Sequence, residues 1–532
     1  MTDAVTQGSA SDLYEHADSQ TGTSWLWNPG IMLTIVVLAA AALRIYKIGG
    51  YSLWGDEGFS AAIVMQSWRP FWLSLIYEPW WAFYFVLLKP WTLCFGSGDV
   101  ALRSFSALIG IVAIVPIYYL GKRLFSRRTG LIAAGITALC PVQIWYSQEV
   151  RGYSLYVLLS ALCWLAFLAA LHNPRSQNLS LWSVLTVLTG YCHFIGLGII
   201  PAQWVCIAIR RPDSRIARRF ALATAASLIA LAPIPIFMAM LYTGQVSWIL
   251  PPSWAQIGQL FVTIAGGLNS KSGVVICLIL LLFVGEALFV SFQHRRDPNG
   301  WEGCLFALAG FLVPIIVTIG GAFFVPMLVA RYLLVSFPPF VVLAAQGLLT
   351  FRRPKAALIM VAALVALTGR ELHGIYSTEP RDDWRAAVRY VMTHSQPDDA
   401  AIVIWPLNRY VFEYYAARAP GPGAPPVVLG ENRDIVDGVR IVANRFASDT
   451  GGVLRTVGSL PKMYHRVWLI RPESIGLDPH VRNERELSQL VVALAQEYRT
   501  HVPILFKGMV VLLYDTPAAS ERSAMGTPRV SH

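Results

Sequence analysis

Charge is what this 532-residue chain has least of: only 14% of its residues are Asp, Glu, Lys or Arg, against about 25% in a soluble domain. With 55% hydrophobic residues, one large water-soluble core is excluded and a membrane protein is indicated. Cysteine is sparse. Cys94, Cys140, Cys163, Cys192, Cys206, Cys277 and Cys304 form no CxxC pair and no zinc spacing, so they read as small buried hydrophobes. No internal repeat is visible, which argues against the paired halves of many transporters. No cleavable signal precedes the first apolar run, so that run is expected to remain as an anchor. Residues 1–25 are polar and expected to be disordered, like the tail 518–532.

What is present is a series of apolar runs. A membrane helix needs about 20 such residues, and about eleven candidates occur: 30–48, 100–121, 130–146, 154–171, 181–195, 196–209, 220–241, 273–291, 303–325, 332–350 and 356–371. The net charge of +11 would suit nucleic acid in a soluble protein, but here the basic residues crowd short loops. Lys122, Arg123, Arg127 and Arg128, then His172 to Arg175, then Arg210, Arg211, Arg215, Arg218 and Arg219, then Arg295 and Arg296, then Arg352, Arg353 and Lys355 all fall on one side if the N-terminus is cytoplasmic. Positive loops stay inside, so nucleic acid is not the partner. The opposite side then holds 49–99, about 146–153, about 242–272, the stretch at Val329 to Arg331, and the C-terminus. The run from Trp80 to Phe95 is apolar enough to cross, but crossing would put every later basic loop outside. Its Trp content suits the interface.

From residue 374 the composition changes. Apolar strings at Ala401 to Trp405, Arg466 to Ile470 and Val510 to Tyr514 alternate with helical stretches at Trp384 to Thr393 and Glu484 to Tyr498. That predicts a soluble α/β domain over 374–517 behind a membrane module over 26–373.

The residues that could carry chemistry sit on the outer side. Asp56 and Glu57 follow the first run directly, where acids are costly unless functional. They could equally cap the helix expected from Glu57 to Trp68. Glu78 is a second loop acid, and could equally be an exposed carboxylate. Together Asp56, Glu57 and Glu78 could supply a general base or hold a divalent cation, which leaves metal dependence open. Arg103, Arg151 and Arg331 lie on the non-basic face, where the inside rule does not explain them. A phosphate at the membrane surface would, because a guanidinium grips it bidentately, although each alone could be a snorkelling side chain. Tyr146, Gln148, Glu149 and Tyr153 lie beside Arg151. His193 ends the fifth run, and Tyr332 follows Arg331.

Six segments taken in order resemble the glycosyltransferase C superfamily, in the branch of the protein mannosyltransferases and the lipid A aminoarabinose transferases. They are Leu53-Trp-Gly-Asp56-Glu57, Ala101-Leu-Arg-Ser-Phe-Ser-Ala107, Tyr146-Ser-Gln-Glu-Val-Arg-Gly-Tyr153, Tyr191-Cys-His-Phe194, Arg331-Tyr-Leu-Leu334 and Asp383-Trp-Arg-Ala386. The resemblance implies a polytopic α-helical fold of about eleven spans with an extracytoplasmic C-terminal α/β domain, in a bacterial inner membrane. It implies transfer of a hexosyl or pentosyl group, mannose-type favoured, from a polyprenyl-phosphate donor to a hydroxyl of a glycolipid, polysaccharide or protein, with inversion. Asp56 matches the base, Glu57 and Glu78 the accompanying acids, and Arg103, Arg151 and Arg331 the positions near the donor phosphate. Tyr146, Gln148, Glu149, Tyr153, His193 and Tyr332 would then line the substrate pocket. The sequence departs at Pro79-Trp80-Trp81, where many bacterial members carry a His. The rival reading is a transporter or flippase of a lipid-linked sugar.

Overall fold

The computed structural model describes residues 28–240, 249, 251–268, 270–295, 298–377, 382–404, 406–419, 426–429, 434–436, 439–441, 457–473 and 484–516. The expectations for 1–25 and 518–532, part of the expected outer segment 242–272, and Trp405 lie outside them.

Among the described residues the regular structure of the membrane module is all helical. In order it comprises α1 (Pro29–Ile45), α2 (Gly55–Met65), α3 (Trp68–Tyr77), α4 (Ala82–Phe95), α5 (Asp99–Leu124), α6 (Arg127–Leu139), α7 (Pro141–Ser147), α8 (Tyr153–His172), α9 (Ser176–Cys192), α10 (Ile199–Arg210), α11 (Ser214–Phe237), α12 (Trp254–Ile264), α13 (Lys271–Gln293), α14 (Pro298–Ala322), α15 (Phe337–Leu349) and α16 (Pro354–Ser377). Among the described residues seven helices are long and apolar enough to cross a membrane, or up to nine if each bent pair is one span. The remaining candidate spans fall on the shorter helices α1, α9 and α10.

The bent pairs have identifiable causes. Pro141 cannot donate to the ladder, and the chain turns 60° between α6 and α7. The carbonyls freed near the break, Thr137 and Ala138, accept from the Arg44 guanidinium at 3.1 and 3.0 Å. At Glu78-Pro79 the chain turns 99°. Lys89 on α4 then reaches back to the carbonyls of Val64 and Gln66, at 3.0 and 2.5 Å. The Lys89 ammonium thus ties α4 back to the end of α2.

The basic loops are tied to neighbouring segments. Arg210 pairs with Glu302 at 2.5 Å, Arg219 donates to the Pro174 carbonyl at 2.7 Å, and Arg352 pairs with Glu286 at 2.9 Å.

Beyond α16 lies a mixed sheet, with helices α17 (Trp384–His394), α18 (Pro406–Ala416) and α19 (Glu484–Glu497). The strands are β1 (Ala400–Val403), β2 (Val427–Leu429), β3 (Asp434–Val436), β4 (Val439–Ile441), β5 (Arg466–Pro472), β6 (Arg499–Thr500), β7 (Ile504–Phe506) and β8 (Met509–Asp515). The main sheet runs β2-β1-β5-β8-β6, with β7 also on β8, and β3 and β4 form a separate hairpin. β1 is parallel to β2 and β5, whereas β5 and β8 are antiparallel. Alternate residues of β5 face opposite layers. Val467 and Leu469 join Leu490 and Leu494 of α19, while Trp468 and Ile470 join Val388 and Val391 of α17.

This domain is seated directly on the loop after α1. A Cβ on Gly58 would stand 2.7 Å from the Val411 nitrogen, so only glycine lets α2 approach α18 this closely. The Leu53 N–H donates to the Tyr415 hydroxyl at 2.7 Å, and Arg385 pairs with Asp99 at 2.7 Å.

Candidate active site

Trp54 is extended, and α2 begins behind it, placing Asp56 and Glu57 in the first turn, where the helix dipole favours acids. Consecutive helical residues point roughly 100° apart, and here the two carboxylates serve different neighbours.

Glu57 is fully buried and grips Arg103 with both oxygens, at 2.8 and 2.6 Å. It also accepts the Val150 N–H at 3.0 Å. Arg103 completes its fork on the carbonyls of Ile48 (3.2 Å), Tyr51 (2.8 Å) and Ser52 (3.0 Å). A guanidinium has five N–H donors, and all five are engaged within the protein. Arg103 therefore has no donor left for a phosphate, and Glu57 no oxygen free to take a proton. Both expectations are corrected: the pair positions the loop around Asp56 and the turn at Val150.

Asp56 faces Arg151 at 3.3 Å, in a setting where each side chain is only about a tenth exposed. Arg331 directs its charge at the same group, with Tyr146, Tyr153 and Tyr332 around it. The aromatic wall is continuous. Tyr146 and Tyr153 have ring centroids 4.5 Å apart, Tyr153 and Trp81 4.9 Å, Trp81 and His193 4.8 Å, and His193 and Tyr332 4.4 Å. The guanidiniums lie against it, Arg151 over Trp81 and Arg331 over Tyr332, each 5.6 Å from the ring centroid. Two buried polar atoms here, Arg151 Nε and Tyr153 Oη, have no protein hydrogen-bond partner among the described residues. Such atoms are costly unless something else meets them.

The remaining expected site residues divide. His193 follows α9 and caps the start of the 3-10 turn Phe194–Gly198, its ring nitrogen accepting the Ile195 N–H at 3.3 Å, and it forms part of the wall. Gln148 is corrected: its amide is tied to the carbonyls of Arg44 and Tyr46, at 3.0 and 2.8 Å, which joins it to the end of α1 rather than to a pocket. Glu149 accepts the Trp145 indole N–H at 2.8 Å. Glu78 is buried at the elbow. Among the described residues no three His, Cys, Asp or Glu side chains gather as a metal cage. With both Glu57 oxygens on Arg103, the trio Asp56, Glu57 and Glu78 does not fit a cation. Sequence reasoning missed Trp81, set aside as a departure from the family pattern. Its signal was the pair of adjacent tryptophans after a proline.

An apolar cleft of about 400 Å³ opens beside the elbow, lined by residues that include Trp72, Ile76, Pro79, Phe83, Tyr191 and Phe237.

Residues 79–239 match the family described as dolichyl-phosphate-mannose-protein mannosyltransferase. The whole fold is similar to that of ArnT from Cupriavidus metallidurans bound to undecaprenyl phosphate. Identity is 12%, with 93% of this chain and 98% of that one covered at a TM-score of 0.56. It is also similar to the Archaeoglobus fulgidus oligosaccharyltransferase tethered with an acceptor peptide, at 12% identity, covering 93% of this chain and 75% of that one with a TM-score of 0.54. No curated protein matches it by sequence.

Proposed function

We propose, from a fold that is that of the membrane glycosyltransferases of the C superfamily, that this multi-pass membrane protein transfers a sugar from a polyprenyl-phosphate donor to an acceptor hydroxyl on the outer face of a bacterial inner membrane. A mannose-type sugar is favoured by the matching family. The acceptor is a glycolipid, polysaccharide or protein. The observation that carries the reading is Asp56 held against Arg151, with Arg331 nearby, in a nearly buried aromatic ring whose Arg151 Nε and Tyr153 Oη await a partner.

The donor's isoprenoid lies along the apolar cleft at Trp72 and Phe83, with its phosphate between Arg151 and Arg331. Asp56 takes the proton of the acceptor hydroxyl. The oxygen bonds to the anomeric carbon from the side opposite the phosphate, and the carbon–oxygen bond to phosphate breaks. The electron pair leaves on the polyprenyl phosphate, and configuration inverts. The guanidiniums stabilise charge where it develops. The leaving group needs no acid. The tyrosines and Trp81 exclude water and flank the sugar.

The test uses purified protein in lipid with mannosyl-, arabinosyl- and aminoarabinosyl-phosphate polyprenols and an envelope extract. Wild type transfers one of them, and Asp56→Asn lowers kcat by about 10²- to 10⁴-fold. Equal turnover by both proteins removes Asp56 as base. Release of the lipid-linked sugar across the bilayer without transfer favours the flippase reading.

A further inference from the structure

A second cleft, of about 760 Å³, lies where the sheet domain meets the start of α5. Its lining includes Phe95, Asp99, Val100, Arg385, Arg389 and Arg418. Arg385 and Arg389 stand one turn apart on α17 and face the same way, an arrangement of like charges that disfavours itself unless an anion lies between. Arg385 is held by Asp99 at 2.7 Å. Arg418 lies 3.7 Å over the Tyr414 ring and donates to Ser97 Oγ at 2.9 Å. Arg389 is exposed, and its guanidinium has no partner among the described residues. Three guanidiniums thus face one carboxylate, and that carboxylate is already met by Arg385, Tyr414 and Tyr415.

The other wall is apolar and open. Phe95 and Val100 are 61 and 54% exposed, just where α5 begins as an apolar span. Positive charge above and bare hydrocarbon surface below is the profile of a lipid at the membrane boundary, with headgroup up and chains down. The neighbouring hollow around Ser52 shares Arg385 and Arg389 with this cleft and brings Asp382 and Asp383 to them, so Arg418 is the guanidinium that this cleft does not share.

We propose that this cleft seats the anionic headgroup of a membrane lipid. It is separate from the ring around Asp56 and does not depend on which sugar is transferred. The lipid would lie against α17 and α5 at once and so fasten the sheet domain to the membrane surface.

The test is binding of short-chain phosphatidylglycerol and phosphatidylcholine to the full chain in neutral detergent, followed by native mass spectrometry. Saturable binding of phosphatidylglycerol alone is expected, weaker at high salt. Arg389→Gln should weaken it several-fold, and Arg389→Gln with Arg418→Gln on the order of tenfold. The single variant removes no internal contact, so it carries the test if the double variant does not fold. Arg151→Gln should leave this binding unchanged. Equal uptake of both lipids, full binding in both arginine variants, or loss only in Arg151→Gln would overturn the proposal. Complete displacement by equimolar inorganic phosphate would do so too, by showing a free-anion site.

Discussion

Removing the Glu57 charge leaves Arg103 ionised among the carbonyls of Ile48, Tyr51 and Ser52 with no counter-charge. Breaking one half of a buried pair costs about 3–5 kcal/mol. Glu57→Gln is therefore expected to lower the thermal unfolding midpoint markedly, whereas Asp56→Asn, at an ion pair whose side chains are each about a tenth exposed, should lower it less while cutting transfer about 10²- to 10⁴-fold. Unfolding followed by tryptophan fluorescence separates the two. A titration is also expected at Asp382, close beneath the turn at Gly508. Burial raises its carboxyl from 3.8 to about 6. The folded protein holds that proton to higher pH than the unfolded chain, so stability from this group is full below 3.8 and is lost as pH rises through about 6. Asp382→Asn should flatten stability between those limits, and an unchanged slope would refute the assignment. At this scale the sequence disclosed which residues stand near the membrane surface but not their partners. Asp56, Arg151 and Arg331 converge as their motifs imply. Arg103 matches its motif equally well and faces inward, because spacing does not say whether a guanidinium meets a ligand or a carboxylate 46 residues earlier. Gln148 was misplaced for the same reason, its partners lying more than 100 residues upstream.

Elements were easier to read than their bends. Apolar runs of near-membrane length announce helices, and each candidate run falls on helical chain, the run 130–146 on the bent pair α6 and α7. The breaks at Pro141 and Pro79 were marked only by proline, and no local pattern connects them to Arg44, which bonds the carbonyls of Thr137 and Ala138, or to Lys89, which bonds those of Val64 and Gln66. The strands β1, β5 and β8 were legible from short apolar strings. The seating of α2 on α18 was not, since a glycine in a helix carries no hint of what it touches. That contact gives a sharp expectation. Gly58→Ala forces a Cβ to 2.5 Å from the Val411 side chain and 2.7 Å from its nitrogen, and overpacking of this kind costs about 1–3 kcal/mol. The variant should unfold at lower temperature and expose the sheet domain to protease, and a protease pattern like wild type would show that the interface can yield.

For the molecule as a whole, the expectation to test is that the basic loops and the candidate site lie at opposite ends. With positive loops inside, alkaline phosphatase fused after residue 516 should be active and a green fluorescent protein there should stay dark. The reverse pattern would invert the assigned orientation and put the site in the cytoplasm.

The hydrogen bond from Leu53 to Tyr415 spans 362 residues. At about 5–20 residues per second, its second half leaves the ribosome roughly 20–70 s after its first. Through that interval the loop carrying Asp56 has been delivered without the surface it rests on. A chain cut short before α18 would carry every catalytic candidate and still lack a finished site, so activity should begin only with the last fifth of synthesis.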